Sequence, residues 1–207
     1  GSQQMSSVAW GRAIKYCAKL YNQLEKDGII LDFLNIGGGL PISYKKKVKN
    51  LCYYSDAINY FLAKYFKDKI PKEIIMEPGR YLVGESGVIE TEVILVSKKN
   101  DKNDMRWVYI DIGRYGGLAE TEGEAIKYKI KAHGYDDDTE KEKFILAGPS
   151  CDGNDIIYEK NCYMLPKKLK EGDRLRIFAA GAYTTVYKSN FNNLKTIREE
   201  CLSLASG

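Results

Sequence analysis

The stretch FLNIGGGLP, residues 33–41, carries a short apolar run into three consecutive glycines and a proline. Lacking a Cβ, Gly37, Gly38 and Gly39 let the backbone take positive φ and let a bulky group come close to its N–H groups. A phosphate is the usual guest at such a place; a flexible turn is the alternative reading. A second apolar run ends in Glu77-Pro78-Gly79-Arg80, where an acid and a base flank two turn residues. Taken alone, that set also fits a turn closed by a surface ion pair. Five cysteines without a CxxC pair make neither a disulfide framework nor a zinc site. Most are expected to be buried or idle thiols. Cys151 stands apart because of its company, GPSCDG at 148–153.

The elements that would position these residues can be read from apolar spacing. Residues 8–27 place Ile14, Cys17, Leu20, Tyr21 and Leu24 at helical intervals, and Gly28 ends the run. Residues 29–36 read as a strand. Residues 55–69 read as a second helix, with Ser55 as N-cap and Ala57, Tyr60, Phe61, Lys64 and Tyr65 on one face. Residues 73–84 then give a buried strand running into a loop. The order helix, strand ending in GGG, helix, strand ending in EPGR is that of two β/α repeats. In a β/α barrel the active site lies at the C-terminal ends of the strands, and the last two loops often hold a phosphate. From about residue 85 the pattern changes to β-type segments: 88–99, 106–113, 143–150 and 173–184. Only 118–128 reads as helical between them. The expected fold is therefore α/β plus β: a partial β/α barrel over 1–84, then an antiparallel β domain over 85–207.

Composition sets the outer limits. The chain has 207 residues, 44% hydrophobic and 29% charged, an ordinary globular profile long enough for one large or two small domains. Net charge is +4, with Lys and Arg interleaved among 28 acids, so the basic run YKKKVKN at 44–50 reads as a solvated loop or helix start. No nucleic-acid or membrane partner is expected. No stretch approaches the roughly 20 apolar residues of a membrane span. The first residues lack the apolar core of a signal peptide, which points to the cytoplasm.

Five separated motifs then fall in one order: LNIGGGLP, EPGRYLVGESG, YIDIGRYGGLAET, AGPSCDGNDIIYE and GDRLRIFAAGAYTTVYKSNFN. Together they make the chain resemble the basic amino-acid decarboxylases of the alanine-racemase-like fold, which use pyridoxal 5′-phosphate on ornithine or lysine. The resemblance covers nearly the whole chain. It implies that Gly37, Gly38 and Gly39 offer N–H groups to the cofactor phosphate, with Ser2, Arg80 and Tyr183 as further phosphate ligands. It implies that Glu77 keeps the pyridine nitrogen protonated. Cys151 is, by the same resemblance, the acid that reprotonates the carbon after CO₂ leaves, and Asp152 pairs with the distal ammonium of the substrate. Diaminopimelate decarboxylases have Glu after this Cys, so Asp152 favours a substrate whose far end is only an amine. The Cys-Asp loop of the family reaches a partner subunit's site, which implies a homodimer with shared sites. Phe191 resembles an aromatic at that interface, although Asn193 stands where the family has Gly. Gly1–Ser2 fits either the end of a family strand or residues left by cloning.

Two family parts are not found. The Schiff-base lysine belongs to the first half of the barrel; the look-alike YKIKAHG at 128–134, centred on Lys131, is read as coincidence, and His133 as a surface residue. The expectation is a C-terminal half that pairs with a separate N-terminal half, or else a decayed gene product or fragment. A non-catalytic decarboxylase-like interaction protein is the competing reading. A simple phosphate- or nucleotide-binding module would leave GPSCDG unexplained.

Overall fold

Helices α1 (Ser7–Lys26) and α2 (Leu51–Phe66) pack face to face because glycine stands at their closest approach. A Cβ on Gly11 would lie 2.5 Å from the Phe61 ring. In this computed structural model, which describes residues 1–98, 105–194 and 197–202, the chain divides into two units, Gly1–Glu85 and Ser86–Gly207. In the first, α1 buries Trp10, Ile14 and Ala18, four residues apart, and α2 buries Tyr54, Ile58, Leu62 and Phe66 on the same spacing. Both stripes close over Leu34 and Leu40. Gly28, at φ +80°, turns the chain out of α1 while the Ile29 N–H bonds the Leu24 carbonyl at 2.8 Å. Strands β1 (Phe33–Asn35) and β2 (Glu73–Ile75) pair in parallel, with α2 in the crossover between them. A short helix, α3 (Gly79–Val83), follows β2.

The second unit is a six-stranded sheet in the order β5-β8-β3-β4-β6-β7. The strands are β3 (Val88–Lys98), β4 (Arg106–Ile110), β5 (Lys129–Ala132), β6 (Lys141–Ala147), β7 (Ile156–Pro166) and β8 (Arg174–Phe178). β3 serves two neighbours: its first half pairs with β8 and its second with β4, and the register shifts between Val93 and Leu95 where it changes partner. All pairs are antiparallel except β4–β6, which is parallel. Val93, Val108, Ile110, Phe144, Leu146, Ile157 and Leu175 are fully enclosed and form the core.

Side chains rather than a strand ladder join the two ends of this sheet. On β7, the Tyr158 hydroxyl donates to the Ile126 carbonyl at 2.8 Å and accepts the Tyr128 N–H at 3.0 Å. The Tyr163 hydroxyl donates to the Tyr128 carbonyl at 2.5 Å. Burial raises the pKa of both phenols above the ordinary value, so they remain donors throughout the working pH range. Just before this segment, the Glu124 carboxylate accepts backbone N–H groups of Glu159 (2.9 Å), Lys160 (2.6 Å) and Asn161 (3.0 Å), and the Asn161 side chain. Burial works against its ionisation, but those donors outweigh it and hold the carboxyl below its ordinary range.

Several sequence expectations are corrected. α2 begins at Leu51, because Asn50, not Ser55, accepts the capping N–H of Tyr53 at 3.1 Å. Its buried face is set by Tyr54, Ile58, Leu62 and Phe66, leaving Tyr60 exposed. On α1, Leu20 likewise faces solvent. The strands read at 29–36 and 73–84 shrink to three residues each; Ile29, Ile30 and Leu31 are exposed, and 79–83 is helical. Residues 119–124 make kinked 3₁₀ turns instead of a helix, broken at Glu122 and Gly123. β5 and β7 were not anticipated as strands, and the second sheet is mixed, not antiparallel. No cysteine is buried: Cys52, Cys151 and Cys201 are exposed, and Cys17 and Cys162 half-buried. No described helix is long and apolar enough to cross a membrane.

Replacing Glu124 with Gln leaves a cluster of N–H groups on a weaker acceptor and should destabilise the chain by about 1.5–3 kcal/mol at pH 7. Because the folded carboxyl titrates below its ordinary 4.5, the wild-type advantage is full above that pH. It fades as the solution is acidified through the folded pKa. Urea titrations of both proteins at pH 7 and pH 4 measure this; equal gaps at the two values would refute it.

Candidate active site

Parallel pairing of β1 with β2 sets their C-terminal ends side by side, so GGG and Glu77 become neighbours although 37 residues, a helix among them, separate them in the chain. The Glu77 N–H donates to the Gly37 carbonyl at 2.9 Å. Asn35, the last residue of β1, braces both: its side-chain amide donates to Glu77 Oε1 at 2.9 Å and its carbonyl oxygen accepts the Gly37 N–H at 2.7 Å. The Glu77 carboxylate is thus held but exposed.

The glycines have separate reasons. Gly37 and Gly39 have φ of +69° and +100°, which side chains resist. Gly38 is needed for space, since a Cβ there would lie 2.4 Å from the Glu77 carbonyl oxygen. On Gly37 a Cβ would meet nothing within 4 Å, so that side of the turn is open. The turn is therefore built, not merely flexible.

Arg80 is 4% exposed. Its Nε donates to the Ser2 hydroxyl at 3.1 Å and an Nη to the Tyr44 hydroxyl. Gly1 packs its carbonyl where a Gly39 side chain would stand, and Gln4 N–H bonds the Gly39 carbonyl at 2.9 Å. The first four residues therefore run from the glycine turn to the guanidinium. An open turn with left-handed glycines, a buried guanidinium held by hydroxyls and an accessible carboxylate fit a phosphate ester carrying a protonatable ring nitrogen.

In the second unit the sequence-derived residues lie in two segments. Cys151 sits at the tip of the loop after β6, exposed and at φ +59°. Asp152 next to it is half-buried and caps the following turn, its Oδ1 accepting the Asn154 N–H at 2.7 Å. Tyr183 lies after β8, 39% exposed and at φ +55°. That segment is anchored by Thr184, whose hydroxyl donates to the Ala180 carbonyl at 2.7 Å. Ala180 N–H in turn bonds the Gly87 carbonyl at 2.8 Å. Phe191 stacks on Tyr115 with ring centres 4.1 Å apart, and Asn192 donates to the Ser150 carbonyl at 3.2 Å, which ties this segment to the Cys151 loop. Asn193 has φ +54°, a conformation glycine favours and asparagine tolerates.

Lys131 lies on β5 with its ammonium 2.8 Å from Asp137, an exposed ion pair, and His133 is exposed in the turn beyond. Among the described residues no cluster of His, Cys, Asp or Glu is placed to hold a metal ion. Sequence reasoning missed Asn35, Tyr44 and Asp155. Asn35 lies two residues before the glycines, close enough to have been a signal; Tyr44 was hidden at the head of a lysine run, and Asp155 behind the Cys-Asp pair of its own motif.

The family whose sequence model matches residues 41–181 is described as "Pyridoxal-dependent decarboxylase, C-terminal sheet domain". The lysine/ornithine decarboxylase of Selenomonas ruminantium is 31% identical over 93% of this chain and 46% of its own length. The diaminopimelate decarboxylase of Buchnera aphidicola subsp. Acyrthosiphon pisum is 30% identical over 90% of this chain and 45% of its own. Among solved structures, lysine/ornithine decarboxylase from Vibrio vulnificus complexed with cadaverine superposes with a TM-score of 0.80 at 27% identity. That match covers 95% of this chain and 51% of the other. The chain thus spans about half the length of the curated relatives it matches.

Two glycine substitutions separate space from conformation. Gly38→Ala, which drives a methyl into the Glu77 carbonyl, should destabilise by about 3 kcal/mol. Gly37→Ala, with open space and only the left-handed cost, should lose about 1 kcal/mol. Urea unfolding of the two variants decides it; the reverse order would mean that this turn is packed differently.

Proposed function

The chain belongs to the pyridoxal-dependent decarboxylases, and we propose that it is the C-terminal half of one acting on ornithine or lysine to give a diamine for polyamine synthesis in the cytoplasm. The observation that carries the reading is the side-by-side arrangement of the open Gly37–Gly39 turn and the Asn35-braced Glu77 carboxylate. When bound, pyridoxal phosphate supplies the electron sink for the pair left on the α-carbon as CO₂ departs. The Gly37–Gly39 turn would hold the phosphate with Ser2 and Arg80, the Gly37 N–H turning to it from Asn35, and Tyr183 is a further ligand on this reading. Glu77 holds a proton on the ring nitrogen. Cys151 returns a proton to the α-carbon, and the Asp152 carboxylate pairs with the distal ammonium of the substrate.

Asp152 selects among the substrates named for the relatives. It stands where diaminopimelate decarboxylases have Glu, and on this reading the shorter acid goes with a substrate whose far end is only an amine. Ornithine and lysine differ by one methylene, a small energetic difference, and both remain candidates. The residues 1–85 form the last β/α repeats of a barrel on this reading. The remaining repeats, and the lysine that binds the cofactor covalently, are not among residues 1–207 on this reading. Lys131, paired with Asp137 on the outside of a strand, is a poor substitute. The working enzyme is a homodimer in which each Cys151–Asp152 loop serves the partner's site. A decarboxylase-like protein without activity of its own, acting by association, is the second reading; the engagement of Lys131, the one lysine in a family-like context, by Asp137 favours it.

The test is to supply the chain with the first half of the barrel, in the same polypeptide or as a second chain, and to measure CO₂ release from labelled ornithine, lysine and diaminopimelate. The chain alone should be inactive. The completed protein should act on ornithine or lysine, with Cys151→Ala lowering kcat by 10²-fold or more, in the range of general-acid catalysis, and Asp152→Ala mainly raising KM. Turnover by the chain alone, with borohydride trapping the cofactor on Lys131, would overturn the division into halves. A completed protein that binds the cofactor but is inactive would favour the second reading.

A further inference from the structure

Asp155 has no part in the chemistry above, yet it is only 2% exposed and three segments converge on it. Its Oδ1 accepts the Arg114 N–H at 2.7 Å, just beyond β4. Its Oδ2 accepts both the Ser150 N–H at 3.1 Å and the Ser150 hydroxyl at 2.6 Å, just beyond β6. The Asp155 backbone adds two more bonds. Its carbonyl accepts the Gly148 N–H at 2.8 Å, and its N–H donates to the Asp152 carbonyl at 2.9 Å. Space has been cleared for the carboxylate on both sides: a Cβ on Gly113 would lie 2.1 Å from it, and one on Gly148 2.4 Å. A buried carboxylate is costly unless donors surround it, and here every donor comes from a segment that it ties together.

Cys151 lies between two points fixed by this one residue. Ser150 is held by the Asp155 side chain, and its carbonyl is also bonded by Asn192 at 3.2 Å; Asp152 is held by the Asp155 N–H. The left-handed φ of +59° at Cys151 is one that a β-carbon opposes, and such conformations persist only where their surroundings impose them. We propose that Asp155 is the positioning residue of the Cys151–Asp152 loop, imposing the left-handed turn at Cys151 and so fixing where the thiol and the Asp152 carboxylate are presented. The functional meaning rests on the roles given above to Cys151 and Asp152; the tie itself does not.

A double-mutant cycle on the full chain tests the tie. With Asp155 present, Cys151→Gly relieves an imposed strain and should raise the melting temperature by about 2 °C. In an Asp155→Asn background the loop relaxes and the same Cys151→Gly change should give no gain. Amide exchange at 150–152 should quicken on the order of tenfold in Asp155→Asn while β3 and β8 keep their protection. Should Asp155→Asn fail to fold, Ser150→Ala, which removes the hydroxyl's bond to Asp155 together with the one it accepts from the Asp152 N–H, carries the same comparison with a smaller shift. An equal gain in both backgrounds, no gain in either, or exchange that rises equally across the sheet would each overturn the proposal. Its failure is distinct from that of the catalytic reading. Coupling in the cycle with full turnover by Cys151→Ala in the assembled enzyme would sink the latter alone. Lost turnover without coupling would sink only the tie.

Discussion

Parallel strand pairing is the constraint on which both halves of the candidate chemistry depend. Parallel neighbours must be joined by a long crossover, and their C-terminal ends then lie together whatever the sequence between them. β1 and β2 do this with α2 as the crossover, and the glycine turn meets Glu77. β4 and β6 do it inside a sheet that is otherwise antiparallel, and the segment at Arg114 meets the Cys151 loop. Each meeting point is braced by one short polar side chain, Asn35 in the first unit and Asp155 in the second. A short side chain suits the task because it has few rotamers to lose on being fixed.

Glycine makes these approaches feasible. Gly38 admits the Glu77 carbonyl, Gly113 and Gly148 admit the Asp155 carboxylate, and Gly11 admits Phe61 between the helices. None of those four needs positive φ, so their value lies in the missing methyl. The left-handed positions are a different set, and Cys151, Tyr183 and Asn193 among them carry side chains. Two of them, Cys151 and Tyr183, are residues to which chemistry is proposed, and such conformations persist where surrounding structure over-determines a geometry.

How much of this was legible in the sequence varied with range. The existence of both long helices, the change from α/β to β near residue 85 and the family itself could be read, because apolar periodicity and contiguous motifs are local signals. Helix faces were misjudged where aromatic residues misled: Tyr60 is exposed and Tyr54 buried, and spacing alone gives neither. The start of α2 was misplaced because Ser55 looks like a cap while Asn50, behind a run of lysines, is one. β7 was missed because its charged middle, Glu159–Asn161, is bound by Glu124 from far along the chain. The parallel pairing of β4 with β6 leaves no trace in either strand. Motifs pointed to the candidate site residues but not to their braces, since a brace is defined by what it reaches.

The dual role of β3 bears on how the second unit comes to exist at all. Its opening residue, Val88, lies opposite Phe178 on β8, so the first strand made must wait for the last. Nearly the whole unit has to leave the ribosome before that ladder can form, and contacts so distant in sequence make for slow folding. Until then the first half of β3, Val88–Glu92, is an open edge, of the kind that recruits other chains. Glu90 and Glu92 alternate along that stretch; Glu90 accepts from both Arg174 and Arg176 once β8 arrives, and the two acids keep a negative charge on the waiting strand before it does. The same charges that lace the finished sheet thus act as gatekeepers during synthesis.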